Sequence, residues 1–132
     1  MTQTFTKTYD LEIRTLNYAQ GAIGLYKRIP HNIINLRLIE QLVRAAGSVG
    51  ANYREANEAL SKKDFVHRLK ISRKECKESG YWLELLRGEN SIFTTEFDQI
   101  IQESKELRNI FSAIIEKSKR QIIDKSQSPD SK

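Results

Sequence analysis

The sequence has few of the residues that break helices or carry covalent chemistry. Its 132 residues include one cysteine, two prolines, six glycines and two histidines. A single cysteine excludes an intramolecular disulfide, and the apolar setting of Cys76 predicts a buried, unreactive thiol. No segment reaches the roughly 18 apolar residues of a membrane span, and the N-terminus lacks the apolar centre of a secretory signal. We therefore expect a cytoplasmic protein without a membrane partner.

Apolar and small side chains recur at intervals of three and four residues, which is typical of amphipathic helices. We predict four helices, near residues 9–27, 32–60, 62–87 and 95–125. Pro30 should end the first helix, and Ser61 is a suitable N-cap for the third. The predicted inward side chains are Ile13, Leu16, Ala19, Ile23 and Tyr26; Ile39, Leu42, Ala46, Val49, Tyr53, Ala56 and Leu60; Phe65, Leu69, Ser72, Cys76, Ser79, Leu83 and Leu86; and Phe97, Ile100, Ile101, Ser104, Leu107, Phe111, Ile114, Ile115 and Ile122.

Short connections between these helices predict antiparallel neighbours. The expected fold is all-α, an up-down-up-down four-helix bundle that forms a single domain over residues 1–125. A chain of this length has room for one core and not comfortably for two. The last residues, 126–132, are polar and interrupted by proline, and we expect them to be a disordered tail.

Positive charge is concentrated in the predicted third helix. Residues 62–77 contain seven basic and two acidic residues, an excess equal to that of the whole chain. Within this segment, four lysines and one histidine lie two positions from the inward stripe of the third helix and so face away from the core. They form what we call the basic stripe: Lys63, His67, Lys70, Lys74 and Lys77. With Arg73 beside it, this stripe predicts a contact with the phosphates of RNA or DNA.

Two alternatives to phosphate binding remain open from the residues alone. The basic stripe is also what a solvated helix face looks like when it serves only solubility. The chain could instead be a protein-interaction module without nucleic-acid binding. The sequence contains no helix-turn-helix, zinc-finger or aromatic RNA-binding motif, so we do not expect sequence-specific base contacts.

Catalytic and metal-binding patterns are absent from the sequence. It has no Glu-x-x-His pair, phosphate-binding glycine loop, nucleophile elbow or paired-cysteine site. Glu55, Glu58, Glu75 and Glu78 could converge on a hard cation, but glutamates on an exposed helix usually serve solubility and weak ion pairs. We expect no catalytic residues, no metal and no cofactor, and hence no enzyme.

Self-association is suggested by small residues on the second helix and aromatic residues on the third. Gly47, Ser48 and Ala51 lie in a run of small side chains that would let another backbone approach closely, within the bundle or between subunits. Tyr81 and Trp82 widen the apolar face of the third helix, as an oligomer interface would require. Arg44 is expected to form ion pairs within or between subunits.

Residues 41–86 carry a resemblance to a known family. QLVRAAGSVGANYREA, SKKDF and KECKESGYWLELL resemble the four-helix-bundle proteins encoded in intervening sequences of bacterial 23S rRNA genes. Where many members have ANIAEG, this chain has ANYREA at residues 51–56, which suggests a divergent subgroup. The resemblance implies a homo-oligomer, a pentamer. It also implies a link to the basic accessory proteins of diversity-generating retroelements, which associate with nucleic acid.

Overall fold

The computed structural model describes residues 10–127, with side chains described to residue 124. Within this range the chain forms four α-helices and a short 3-10 turn, which are α1 (Leu11–Arg28), α2 (Ile33–Asn57), α3 (Lys62–Glu89), the turn at Ser91–Phe93 and α4 (Thr94–Gln127). Contacts are most extensive between α2 and α3 and between α3 and α4, while α1 packs on α2 and less closely on α4. The predicted four-helix bundle is confirmed. The helix α4 runs to Gln127 and so includes the first two residues of the predicted tail. Residues 128–132 lie outside the described range, and the tail stays a prediction there.

The helix boundaries follow from local chemistry. Ile29 is extended before Pro30, with ψ of 158°, and this ends α1. Asn32 caps α2 by accepting a hydrogen bond from the backbone N–H of Asn35 at 2.9 Å. Ser61 caps α3 as predicted, because its Oγ accepts from the backbone N–H of Asp64 at 3.0 Å. The loops between helices are therefore short, and consecutive helices run antiparallel.

The bundle core consists of side chains from all four helices. Its largest fully buried members include Leu11, Leu42, Leu69, Leu83, Phe97, Phe111 and Ile115. Most buried polar side chains of this core, among them Thr15, Ser79 and Ser104, have hydrogen-bond partners. Ser72 Oγ donates to the carbonyl of Val49 at 2.9 Å, which joins α3 to α2. The inward residues predicted for α4 are all buried or half-buried.

The predicted inward face of α1 is wrong. Ile13, Leu16 and Ile23 are 45%, 47% and 41% exposed. The buried side chains of α1 are instead Leu11, Thr15, Tyr18, Ala22 and Leu25; the predicted Ala19 and Tyr26 lie at the margin of the core. The reason is packing. Gly50 approaches α1 so closely that a Cβ there would lie 2.9 Å from Thr15 Oγ1, so the small-residue face of α2 selects the side of α1 that carries Thr15 and Ala22.

One further inward position differs near the connection between α2 and α3. Leu60 was expected in the core but is fully exposed. The helix α2 ends at Asn57, so Leu60 no longer follows the helical stripe. Phe65 is half-buried and packs against the core as predicted, and Val66 beside it is buried as well. The remaining inward positions of α2 and α3 are buried or half-buried as predicted.

Candidate nucleic-acid interface

The basic stripe lies on the solvent side of α3. Lys63, His67, Lys70, Lys74 and Lys77 are all exposed, while Leu69, Ser72, Cys76 and Ser79 of the same helix are buried. At a rise of about 1.5 Å per residue, the stripe is about 20 Å long. The predicted exposure of these side chains is therefore confirmed, and their role in binding stays a prediction.

Two acidic residues of α3, Glu75 and Glu78, turn toward α2 and pair with Arg44 rather than with a lysine of the basic stripe. Arg44 Nη1 lies 3.4 Å from Glu75 Oε1, and Arg44 Nη2 forms a second ion pair with Glu78. Trp82 Nε1 donates to Glu78 Oε2 at 3.0 Å. Hydrogen bonds from Trp82 and then Arg44 lower the pKa of Glu78, so this carboxylate stays ionised in mildly acidic solution.

The lysines of the stripe have no such partner. Among the residues that the structure describes, no ion pair includes Lys63, Lys70, Lys74 or Lys77. Their charge is thus available to an external anion. Four lysines of this positively charged segment therefore lie exposed along α3, while Glu75 and Glu78 pair with Arg44.

A groove between α3 and α4 extends the basic surface. It has a volume of about 350 Å³ and is lined by Lys70, Arg73, Lys74, Lys77, Arg108, Asn109 and Ser112. Arg73 Nη1 donates to Ser112 Oγ at 3.2 Å, which holds its guanidinium over the groove. Arg108 was not predicted, because Lys105 and Arg108 are balanced in the sequence by Glu103 and Glu106, and only the packing of α4 on α3 brings Arg108 beside Lys77.

The structure brings together only part of the predicted oligomer interface. Arg44 and Trp82 meet through their shared partner Glu78. Gly47 is exposed, with open space where a side chain would be, and Ala51 is exposed while Ser48 is half-buried. Tyr81 does not join Arg44 and Glu78, because it lies toward α4, in a hollow lined by residues of α3 and α4.

The run of small residues on α2 thus divides into two sets. Ala45, Ala46 and Gly50 are buried and permit the close approach of other helices of the same bundle. Gly47 and Ala51 face outward and remain available to a second molecule. The buried set serves packing within the bundle, and a subunit contact through the exposed set stays a prediction.

Exposed apolar side chains that sequence reasoning did not predict lie on α1 and α2. The large ones are Ile13, Leu16, Ile23, Ile33, Ile34, Leu36 and Val43. The helical spacing of the α1 members was visible in the sequence, but it was interpreted as the buried face of α1 instead of an exposed one. A group of exposed apolar side chains of this kind often marks a contact with another protein.

Cys76 is buried, in agreement with its predicted role. Its Sγ donates to the carbonyl of Ser104 at 3.3 Å, and burial raises the pKa of the thiol to about 11. The neighbouring Tyr18 hydroxyl is 2.6 Å from Ser79 Oγ, and burial raises its pKa to about 12. Both groups are therefore neutral at physiological pH, and neither is poised as a nucleophile.

The structure offers no group of side chains for metal binding within residues 10–124: no three His, Cys, Asp or Glu residues there are arranged to hold an ion. Glu75 and Glu78, two of the four glutamates considered above, are engaged by Arg44. Among the described helices, none is both long and apolar enough to cross a membrane.

Comparison with known proteins gives the family. The profile of the 23S rRNA-intervening sequence protein family matches residues 9–113. The chain belongs to this family. A solved structure from Bacteroides thetaiotaomicron VPI-5482, a protein of unknown function from the S23 ribosomal protein family, is 34% identical and superposes with a TM-score of 0.72. The match covers 79% of this chain and 96% of that one. No curated protein matches the sequence.

Proposed function

We propose that this member of the 23S rRNA-intervening sequence protein family is a non-enzymatic, cytoplasmic protein that self-associates and binds RNA or DNA through the phosphate backbone. The observation that carries the proposal is the basic stripe, whose lysines are exposed and lack ion-pair partners among the described residues. Lysines that neutralise phosphates release condensed counterions, which makes binding favourable and dependent on salt. RNA is the first ligand to test because the family name refers to 23S rRNA.

The same class of ligand is supported by resemblance to the accessory proteins of diversity-generating retroelements, which are basic and associate with nucleic acid. Phosphate contacts would position the ligand without reading its sequence. The residues proposed to make them are Lys63, His67, Lys70, Arg73, Lys74 and Lys77, to which we add Arg108 from the groove.

Self-association is supported by exposed apolar side chains on α1 and α2 and by the open positions Gly47 and Ala51. By resemblance the assembly is a closed pentamer. In a ring each subunit would present one basic stripe, and a ligand that reached two stripes would gain affinity through effective concentration. Arg44, Ser48 and Trp82 are further residues proposed for the subunit contact.

A second candidate function is a protein-interaction module that binds no nucleic acid. The observation that favours it is the exposed apolar stripe of α1, formed by Ile13, Leu16 and Ile23. The two functions differ in their response to salt. Phosphate binding weakens steeply as salt rises, whereas binding through apolar surface persists.

The test is a titration of fluorescent structured RNA and duplex DNA with the full chain at about 50 mM and about 200 mM salt. Absolute molar mass is measured by light scattering on the same samples. We expect binding in the micromolar range or tighter at low salt that weakens by at least tenfold at the higher salt. An oligomer is expected in both conditions.

Charge reversal identifies the surface. Substitution of Lys63, Lys70, Lys74 and Lys77 by glutamate should abolish binding. The matched control reverses four exposed cations outside α3 and outside the groove lining, which are Lys27, Lys117, Lys119 and Arg120. This control has the same net charge and should retain most of the affinity. Equal loss in both variants would mean that only net charge matters, and no binding by the unmodified chain at low salt would leave the interaction module as the better account.

A further inference from the structure

Beyond the basic stripe, a second hollow continues the groove between α3 and α4. It has a volume of about 220 Å³ and shares Lys77 and Arg108 with the first. Its other lining residues are Gly80, Tyr81, Glu84, Ile101, Ser104 and Lys105. From Lys70 to Tyr81 the combined groove is about 16 Å long, at 1.5 Å per residue.

The groove combines cations from two helices with an exposed aromatic ring at one end. Lys105 and Arg108 come from α4, and among the described residues neither takes part in an ion pair. Tyr81 is 57% exposed. Its ring is oriented edge to face with that of Trp82, with centroids 5.1 Å apart. Trp82 therefore supports the ring while much of it stays open to solvent. Glu84 is the one carboxylate among the groove residues given above.

Nucleic acids that bind along a cationic groove and stack on an aromatic side chain are usually single-stranded, because every unpaired base offers a free face. A duplex keeps its bases stacked on one another. A duplex is also too wide to enter a groove between two packed helices. The axes of packed helices lie about 8–10 Å apart, and the major groove, which is only part of the width of a duplex, already measures about 12 Å. A duplex could touch only the outer rim of the groove.

We infer that the groove between α3 and α4 takes a short single-stranded segment of RNA or DNA, with phosphates against Lys77, Lys105 and Arg108 and one base stacked on Tyr81. This inference rests on the proposed function and narrows it to a form of ligand. It also gives Tyr81 a role different from the subunit contact expected from the sequence.

The experiment compares oligo(U) and oligo(dT) of about 20 nucleotides with a duplex of equal length at low salt. The unmodified chain should bind the single strands more tightly. Tyr81→Ala should weaken single-strand binding by about fivefold or more, the range found when a stacking aromatic residue is removed, and leave duplex binding nearly unchanged. Tyr81→Phe keeps the stacking surface and should bind as the unmodified chain does. Lys105→Gln should weaken single-strand binding more than duplex binding.

A second readout uses Trp82, the single tryptophan of the chain. Because its ring touches Tyr81, a base stacked on Tyr81 should change Trp82 fluorescence, and a duplex should not. Equal affinity for both forms with no effect of Tyr81→Ala would overturn the inference while the proposed function stood. Failure of all three probes to bind would overturn both. A lower molar mass for Tyr81→Ala would make Tyr81 a subunit contact and would also overturn the inference.

Discussion

Helices α1 and α3 each carry two stripes of side chains, one buried and one exposed, about two residues apart. On α3 the exposed stripe is basic, and on α1 it consists of Ile13, Leu16 and Ile23. Burial of unpaired lysines is prohibitively costly, so the sequence of α3 allows only one orientation. The sequence of α1 allows two. Spacing thus locates a stripe, and only a contrast in polarity tells which stripe faces the core.

The largest expected effect concerns assembly through the exposed stripe of α1. If that stripe lies between subunits, Leu16→Glu with Ile23→Glu would bury two unpaired carboxylates at each interface. We expect the assembly to dissociate to monomers, which light scattering would detect as a several-fold lower molar mass. The matched control is Leu60→Glu with Ile92→Glu, the same chemistry at two exposed positions in the connections between helices. If both variants kept the molar mass of the unmodified chain, the exposed stripe of α1 would not lie between subunits.

The next effect contrasts the two stripes of α1 in stability. Leu25 is buried and Ile23 is 41% exposed. Leu25→Ala should lower the free energy of unfolding by about 2–5 kcal/mol, because it removes transfer energy and leaves a cavity. Ile23→Ala should cost less than about 1 kcal/mol in dilute protein. Urea denaturation at low concentration measures both, and equal costs would contradict the assignment of the buried face.

A smaller effect involves the buried stripe of α3, which contains Cys76. Its pKa is raised from 9.0 to about 11, so the folded chain keeps a proton that the unfolded chain loses above about pH 9. Stability from this group is complete below that pH and is lost as pH rises toward 11, by roughly 2 kcal/mol. Tyr18, with a pKa raised to about 12, acts in the same direction at higher pH. Urea denaturation between about pH 8 and pH 11 should show a shallower decline for Cys76→Ala. An unchanged decline would contradict this role for the thiol.

The smallest effect tests one cation of the basic stripe. Lys70→Gln should reduce the slope of log binding constant against log salt by about 0.9 for a duplex or about 0.7 for a single strand. The affinity itself should fall only a few-fold at moderate salt. Lys27→Gln, at an exposed position on α1, is the control and should leave the slope unchanged. Identical slopes for the two variants would mean that Lys70 contacts no phosphate.

Much of the fold could be predicted because α2, α3 and α4 have sharp contrasts between their faces. The Ser61 cap and the buried stripe of α3 followed from local rules. The face of α1 could not be predicted in this way. Thr15 and Tyr18 are less apolar than Ile13 and Leu16, and they are buried because they fit Gly50 and Ser79 across the bundle. This is information about packing, which hydropathy does not contain.

The candidate site was predicted to the extent that it lies on one helix. The exposed lysines of α3 follow one another along the sequence and are visible as a pattern. Arg108 and Lys105 are separated from them by the whole connection to α4 and have glutamates as sequence neighbours, Glu103 and Glu106. Those glutamates turn to Arg14 of α1, at 2.7 and 2.8 Å. Only the tertiary structure reveals that two cations remain on the groove side.

One pair of amides sets the relation between all these surfaces. Asn35 at the start of α2 and Asn90 after α3 exchange two hydrogen bonds of 2.9 and 2.8 Å. Each amide also donates to a nearby carbonyl, that of Pro30 or Leu86. An axial slide of α2 past α3 by one turn would break both hydrogen bonds between the amides and leave each Oδ1 acceptor without its partner, at about 1–3 kcal/mol for each group. Leucine side chains alone would tolerate such a slide far better. The two asparagines thus fix the axial register of α2 against α3, and with it the position of Gly47 and Ala51 of α2 along the bundle axis relative to the lysines of α3.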